Sequence, residues 1–246
     1  PQLYKQTLMA AGLERVYEFG PLFRAEASDT IRHLSEFYGF DAEMSFINSE
    51  EDVMQALEKA ISFAFSEVRK RAKEELELLR VEVRVPKTPF PRIRVEDAGT
   101  MLEKVNGKLT PEGDMDTENE KLFGKLMSES GQELYFLTRY PTSVRPFYLM
   151  RAENPFETRS FDLEFKGMEM ASGGQREHRY DALIKSLHEK GLRPEAFNHY
   201  LEAFRYGMPP HGGFGLGIDR LVQQMLNLPN VRETILFPRD RSRMAP

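Results

Sequence analysis

Residues 23–46, FRAEASDTIRHLSEFYGFDAEMSF, restrict the possible folds more than any other stretch of the chain. In the second half, Tyr38, Phe40, Ala42, Met44 and Phe46 fall on one face, and Phe37, Gly39, Asp41 and Glu43 on the other. The first half sets Leu22, Arg24 and Glu26 against Phe23 and Ala25. Two segments of period two, separated by the polar run 27–31 and closed by Arg32 and His33, predict an antiparallel pair joined by a loop. A strand with one apolar face and another carrying an acid, an aromatic ring and a glycine suits the floor of a site. Arg24, Glu26, Arg32, His33, Phe37 and Asp41 are therefore candidates for one open surface, with a solvated hairpin face as the alternative.

The segments around this hairpin supply the cover it needs. Ser49 followed by Asp52 predicts a capped helix start, and Val53, Leu57, Ile61, Ala64 and Val68 recur at helical spacing to cover the apolar face. A first helix is expected from Gln2 to about Ala11, stopped by Gly12. There Leu3, Thr7 and Ala10 would face the core, leaving Gln2 and Lys5 on a neighbouring face, where position alone makes Lys5 a surface lysine. Pro86, Pro89 and Pro91 end the charged stretch, and residues 86–132 read as a small helical insert with polar turns. Its acidic run, Glu112, Asp114, Asp116, Glu118 and Glu120, reads as a solvated loop rather than a metal site.

Strands are expected at 134–139 and 147–150. Asp162 and Glu164 alternate with Phe161, Leu163 and Phe165, so both carboxylates should leave the core face together. Glu169 has the opposite parity, and Lys166-Gly167 is the expected place for a bulge or turn that resets the register. Paired acids beside an anion-binding cluster suit Mg²⁺ when the substrate brings its own phosphates. Ser172-Gly173-Gly174 allows a close backbone approach before Arg176. Helices follow at 181–189 and 194–205, with His188 and His199 as surface or packing residues. Gly215 and Gly217 end a strand, and Ile218, Leu221, Val222, Met225 and Leu226 open a helix. That puts Arg220 in a first helical turn, where the helix dipole disfavours a cation. Either a bound polyanion or an acid such as Asp219 would balance it.

Composition sets the outer bounds. A chain of 246 residues, 40% hydrophobic, can bury one large core. No run is long enough for a membrane span and no signal peptide opens the chain, so a cytoplasmic protein is expected. The absence of cysteine excludes disulfides and thiolate metal sites. A net charge of −5 argues against a dedicated nucleic-acid-binding module.

Taken together, the segments resemble the class II aminoacyl-tRNA synthetases. FRAE followed by RHLSEF is similar to their motif 2, and GFGLGIDRL to their motif 3. PQLYKQ, FDAEMSF, GMEMASGGQREHR, RYGMPPHGGFGLG and LFPRDRSR resemble the archaeal and eukaryotic aspartate-specific type, so the likeness spans nearly the whole chain. Ala27 departs from the polar or acidic residue common after R-A-E.

This resemblance implies an α+β fold, the class II synthetase catalytic fold, with an antiparallel sheet flanked by helices and residues 1–246 as one catalytic domain. It implies an N-terminally truncated polypeptide, whose anticodon-binding barrel and motif 1 dimer segment would precede Pro1, and a homodimer for the intact parent. It further implies a ligase of protein biosynthesis that activates aspartate with ATP and Mg²⁺ and passes it to tRNA(Asp), with tRNA(Asn) as a second acceptor left open. Arg24 and Arg220 would be the catalytic cations, Arg24 at the α-phosphate and Arg32, His33 and Arg220 at the outer phosphates. Phe37 would stack on adenine, Glu26 would accept from its amino group, and Gly217 would lie against the nucleotide. Glu169, Ser172 and Asp162 would place Mg²⁺. Lys5 and Arg176 would face the aspartate side chain, and Asp41 with Gln2 its α-ammonium. Asparaginyl relatives usually lack this lysine and carry Glu in place of Asp41. Two other readings stay open: a synthetase paralogue that makes asparagine from aspartyl-adenylate, and a non-catalytic binding or regulatory module of the same fold.

Overall fold

In the computed structural model, which describes residues 1–25 and 30–243, the hairpin forms one edge of a seven-stranded sheet. The elements in chain order begin with helix α1 (Gln2–Ala10), strands β1 (Arg15–Phe23) and β2 (Glu36–Ser45), and helices α2 (Glu50–Arg71) and α3 (Lys73–Leu79). Strand β3 (Arg92–Arg94), helices α4 (Val95–Glu103) and α5 (Thr117–Glu129), and strands β4 (Leu134–Thr138), β5 (Ser160–Phe165) and β6 (Glu169–Gln175) follow. The chain closes with helices α6 (Tyr180–Glu189) and α7 (Asn198–Arg205), strand β7 (His211–Gly217) and helix α8 (Ile218–Met225). The seven strands form one sheet in the order β1-β2-β7-β6-β5-β4-β3. Only β3 and β4 run parallel; every other neighbouring pair is antiparallel.

The predicted hairpin is present, with Arg15 opposite Met44 and Phe23 opposite Glu36. Arg24 lies just past the end of β1, and its N–H still bonds the Ser35 carbonyl at 2.9 Å. Helix α2 starts as its sequence requires. Ser49 accepts from the helix backbone while Asp52 reaches back to the Asn48 and Ser49 N–H groups, a reciprocal capping box. Val53, Leu57, Ile61 and Phe65 then pack on the apolar side of the sheet, against Phe161, Leu163, Phe214 and Leu216. Strand β4 is buried on both faces. Leu134 and Phe136 enter that core, while Tyr135 and Leu137 enter a second one roofed by α4 and α5.

Four local expectations need correction. Residues 147–150 form no strand; the chain there touches the sheet by an isolated bridge between Leu149 and Arg176, because Pro146 interrupts the ladder. On α1 Leu3 and Ala10 pack partly buried against a core cluster as expected, but the fully buried residues are Lys5, Gln6 and Met9. Polar residues take the inner face because Tyr200, Asp41 and the Phe214 carbonyl are there to bond them. Lys166-Gly167 forms the expected turn, with φ of 52° and 73°, but the register shift lies elsewhere, between Leu163 and Glu164. The acidic run is not wholly a solvated loop. Asp116 caps α5, and Glu120, one turn inside it, bonds Arg32.

Candidate active site

Antiparallel register brings four positions, three of them polar, into one row on the face opposite α2. Asp41 of β2 pairs with Gly215 of β7, Gly215 with Ser172 of β6, and Ser172 with Asp162 of β5. Directly opposed residues share a face, and Asp41, Gly215 and Ser172 of this row floor an open cleft of about 460 Å³. Gln2, Arg24, Arg32, His33, Phe37, Asp41, Glu169, Ser172, Arg176, Gly217 and Arg220 all border it. Lys5 and Asp162 do not border it; each touches a residue that does. Glu26 and Ala27 lie outside the described residues.

One end of the cleft is a buried alternation of charge. The Lys5 Nζ sits 2.7 Å from Asp41 Oδ1, donates to the Phe214 carbonyl at 2.9 Å, and lies 3.8 Å from Glu43 Oε2. Arg176 grips Glu43 with two parallel bonds, Nε to Oε1 at 2.9 Å and Nη2 to Oε2 at 3.2 Å. Lys5, Glu43 and Arg176 are 5%, 1% and 3% exposed, so Lys5 is no surface lysine. The space for the Glu43 carboxylate comes from Gly213. A Cβ there would lie 2.1 Å from both Glu43 Oε2 and the Ala42 carbonyl oxygen. Burial lowers the Lys5 pKa, and the Arg176 charge lowers it further, against the pull of Glu43 and Asp41. Gln2 Nε2, at the mouth of this end, is buried with no partner among the described residues.

The other end gathers cations on weaker tethers. Arg24 is exposed, with its guanidinium 5.3 Å from the Phe37 ring centroid, and makes no ion pair among the described residues. Among the described residues Arg220 donates only to backbone carbonyls, Nε to Arg32 at 3.3 Å and Nη1 to Glu169 at 3.1 Å. Asp219 does not neutralise it. That carboxylate accepts from the Tyr38 N–H at 2.7 Å and the Thr234 hydroxyl at 3.2 Å, tying α8 to β2. His33 Nδ1 lies 2.6 Å from Thr30 Oγ1.

Between the two ends lies a group that the sequence reading did not place. Arg145 bonds both oxygens of Asp162 and the Ser172 hydroxyl, with its guanidinium 3.5 Å over the Tyr140 ring. Asp162 is thereby committed to an arginine. Asp162 and Glu164 also part company: Asp162 reaches Arg145, while Glu164 stays inside with one oxygen unpartnered. Burial pushes the Glu164 carboxyl well above the usual range, reinforced by Glu120 and Glu169. Burial, with the Asp162 charge beside it, pushes the Glu169 carboxyl up to about 7. No group of three acidic or histidine side chains among the described residues could hold a metal ion alone. Glu169 and Ser172 nonetheless leave a carboxylate and a hydroxyl on the cleft wall, a donor set that fits a hard cation arriving with phosphate oxygens of its own. Among the described residues no helix is long and apolar enough to cross a membrane.

Comparison with known proteins gives the family and the fold. The family described as tRNA synthetases class II (D, K and N) matches residues 1–241. The chain is 55% identical over 249 aligned residues to an aspartate–tRNA(Asp) ligase of Thermococcus kodakarensis, covering all of this chain and 57% of that protein. A solved aspartyl tRNA synthetase from Entamoeba histolytica superposes with a TM-score of 0.93 at 36% identity, covering 100% of this chain and 52% of that one. An asparaginyl-tRNA synthetase from Pyrococcus horikoshii, solved with asparaginyl-adenylate, gives a TM-score of 0.90 at 33% identity, covering 100% and 56%. The chain thus spans little more than half the length of the proteins it matches.

Proposed function

Because the chain belongs to the class II tRNA synthetases of the D, K and N group, we propose that it is the catalytic part of an aspartate–tRNA ligase. The reaction activates aspartate with ATP to aspartyl-adenylate and passes the aspartyl group to the terminal adenosine of tRNA(Asp). Since the fold is shared with an asparaginyl enzyme, the choice of amino acid must come from side chains. The observation that carries it is the buried quartet of Lys5, Asp41, Glu43 and Arg176. A neutral amide gains little from two buried cations, whereas a side-chain carboxylate gains charge-assisted bonds from both. Asp41, on the cleft wall, receives the α-ammonium, with the unpartnered Gln2 amide beside it.

Both reactants are anionic, so the chain must supply positive charge where they meet. As the aspartate α-carboxylate attacks the α-phosphorus and the bond to pyrophosphate breaks, Arg24 holds the α-phosphate. Arg32, His33 and Arg220 hold the leaving phosphates, and Phe37 stacks on adenine. The substrate is already an anion, so no side chain need act as nucleophile or base. Glu169 and Ser172 would hold Mg²⁺, which when bound neutralises phosphate charge; Asp162 serves instead by fixing Arg145. Lack of ATP–pyrophosphate exchange with aspartate, or equal exchange with asparagine, would refute the assignment. Exchange with aspartate alone is expected.

A further inference from the structure

Helix α5 belongs to the segment read as a helical insert, yet it reaches the phosphate end of the cleft. Its Glu120 bonds Arg32 Nη1 at 2.5 Å, while Arg32 Nη2 donates to the Gly167 carbonyl at 3.1 Å. The two side chains are only 21% and 10% exposed, so this is a largely desolvated pair rather than a surface contact. The seat is rigid because α5 docks on the 166–167 turn backbone to backbone. A Cβ on Gly124, one helical turn after Glu120, would lie 2.3 Å from the Gly167 nitrogen, and a Cβ on Gly167 2.4 Å from the Glu120 carbonyl oxygen. The carboxylate and the carbonyl that hold Arg32 are therefore fixed to each other. Arginine has five N–H donors, and these bonds use two, leaving the others for an anion in the cleft that Arg32 borders. The Arg32 carbonyl in turn accepts from Arg220 Nε.

We propose that Glu120 is a positioning residue for the nucleotide: it seats Arg32, and through the Arg32 backbone it steadies Arg220, at the triphosphate end of the cleft. This rests on the nucleotide role proposed above for Arg32. A flexible arginine loses rotamer freedom on gripping a phosphate, and a seat made in advance removes part of that cost. The effect should fall on ATP and spare aspartate, whose pocket lies at the other end.

Calorimetric titration of the protein with ATP and magnesium, on the unaltered chain and on Glu120→Gln, Arg32→Gln and the double variant, tests this. Glu120→Gln is expected to weaken ATP binding about tenfold, with the KM for aspartate moving less than about twofold. In the Arg32→Gln background it should add nothing, because Glu120 acts only through Arg32. Arg32→Lys, which keeps the charge but cannot span both acceptors, should lose a similar factor and serves if Glu120→Gln folds poorly. Unchanged ATP affinity in Glu120→Gln, or an equal further loss in the Arg32→Gln background, would overturn the proposal while leaving the ligase assignment standing. ATP binding without aspartate-dependent exchange would overturn the assignment alone. No ATP binding by the unaltered protein would overturn both.

Discussion

Replacing Glu43 by Gln changes one charge and almost no volume, at the point where the buried quartet is most tightly coupled. Glu43 holds Arg176 by two bonds of 2.9 and 3.2 Å and lies 3.8 Å from Lys5. Two cations and two anions balance in the unaltered chain; in the variant Asp41 alone faces two buried cations. Removing one partner of a buried pair costs about 3–5 kcal/mol, mostly as the penalty of the charge left behind. With about 2.1 cal/mol/K of unfolding entropy per residue over 246 residues, that loss lowers Tm by about 6–10 °C. The deficit should shrink at alkaline pH. Burial and Arg176 already depress the Lys5 pKa, Glu43 and Asp41 oppose them, and without Glu43 Lys5 sheds its proton sooner. Arg176 also loses its orientation, so the KM for aspartate should rise about tenfold or more while that for ATP holds. Scanning calorimetry across pH and exchange kinetics with each substrate varied read both effects. A Tm drop below about 2 °C with an unchanged KM for aspartate would show that Glu43 neither balances nor orients Arg176.

Two further expectations separate the ends of the cleft and define its acid limit. Lys5→Leu should cost about 30- to 1000-fold in specificity for aspartate, whereas Arg220→Leu should weaken ATP use and leave the choice between aspartate and asparagine intact. Exchange kinetics showing the reverse pattern would refute the placement of the two pockets. His211 is fully buried, with Nδ1 2.9 Å from the Pro209 carbonyl oxygen and Nε2 unpartnered, and burial lowers its pKa to about 4. Between about 6.5 and 4 the unfolded chain then binds a proton that the folded chain refuses, so stability falls as pH drops through that window, by about 3 kcal/mol in all. Urea titrations at stepped pH should show this slope flattened in His211→Gln; an identical slope would exclude His211 as its source.

The sequence made the hairpin, the α2 cap and the β7–α8 junction legible because each depends on chemistry within a few residues. Alternation shows which residues share a face of β2, and Ser49 with Asp52 closes a capping box across one turn. The strand expected at 147–150 failed for the converse reason. Its apolar run satisfies a strand pattern, but whether it finds a partner depends on Pro146 and on where β6 ends. Lys5 was misjudged alike. Helical spacing cannot reveal that Asp41, 36 residues on, and the Phe214 carbonyl, 209 residues on, wait to receive an ammonium group.

For the site, residue chemistry was legible and its pairing was not. Asp162 and Glu164 have the same parity and stay on one face of β5, opposite Leu137 and Tyr135, yet Asp162 meets Arg145 while the register shift sets Glu169 opposite Glu164, which lies sealed among carboxylates. A shift of one residue in a ladder exchanges the environments of its two faces, and no composition or spacing reports it. Arg145 carried only one signal, a cation inside a proline-bounded segment, and Glu120 carried the wrong one, membership of an acidic run. Both act across long sequence separations on groups the sequence did identify. Arg145 pairs with Asp162, one of the residues expected around the metal, and Glu120 occupies part of Arg32. An arginine in such a cleft is therefore defined by how many of its donors the protein has already used. Among the described residues Arg220 is bonded only to carbonyls, so no carboxylate bond competes with a polyanion at the α8 N-terminus, whereas Arg145 is already bonded to the Asp162 carboxylate.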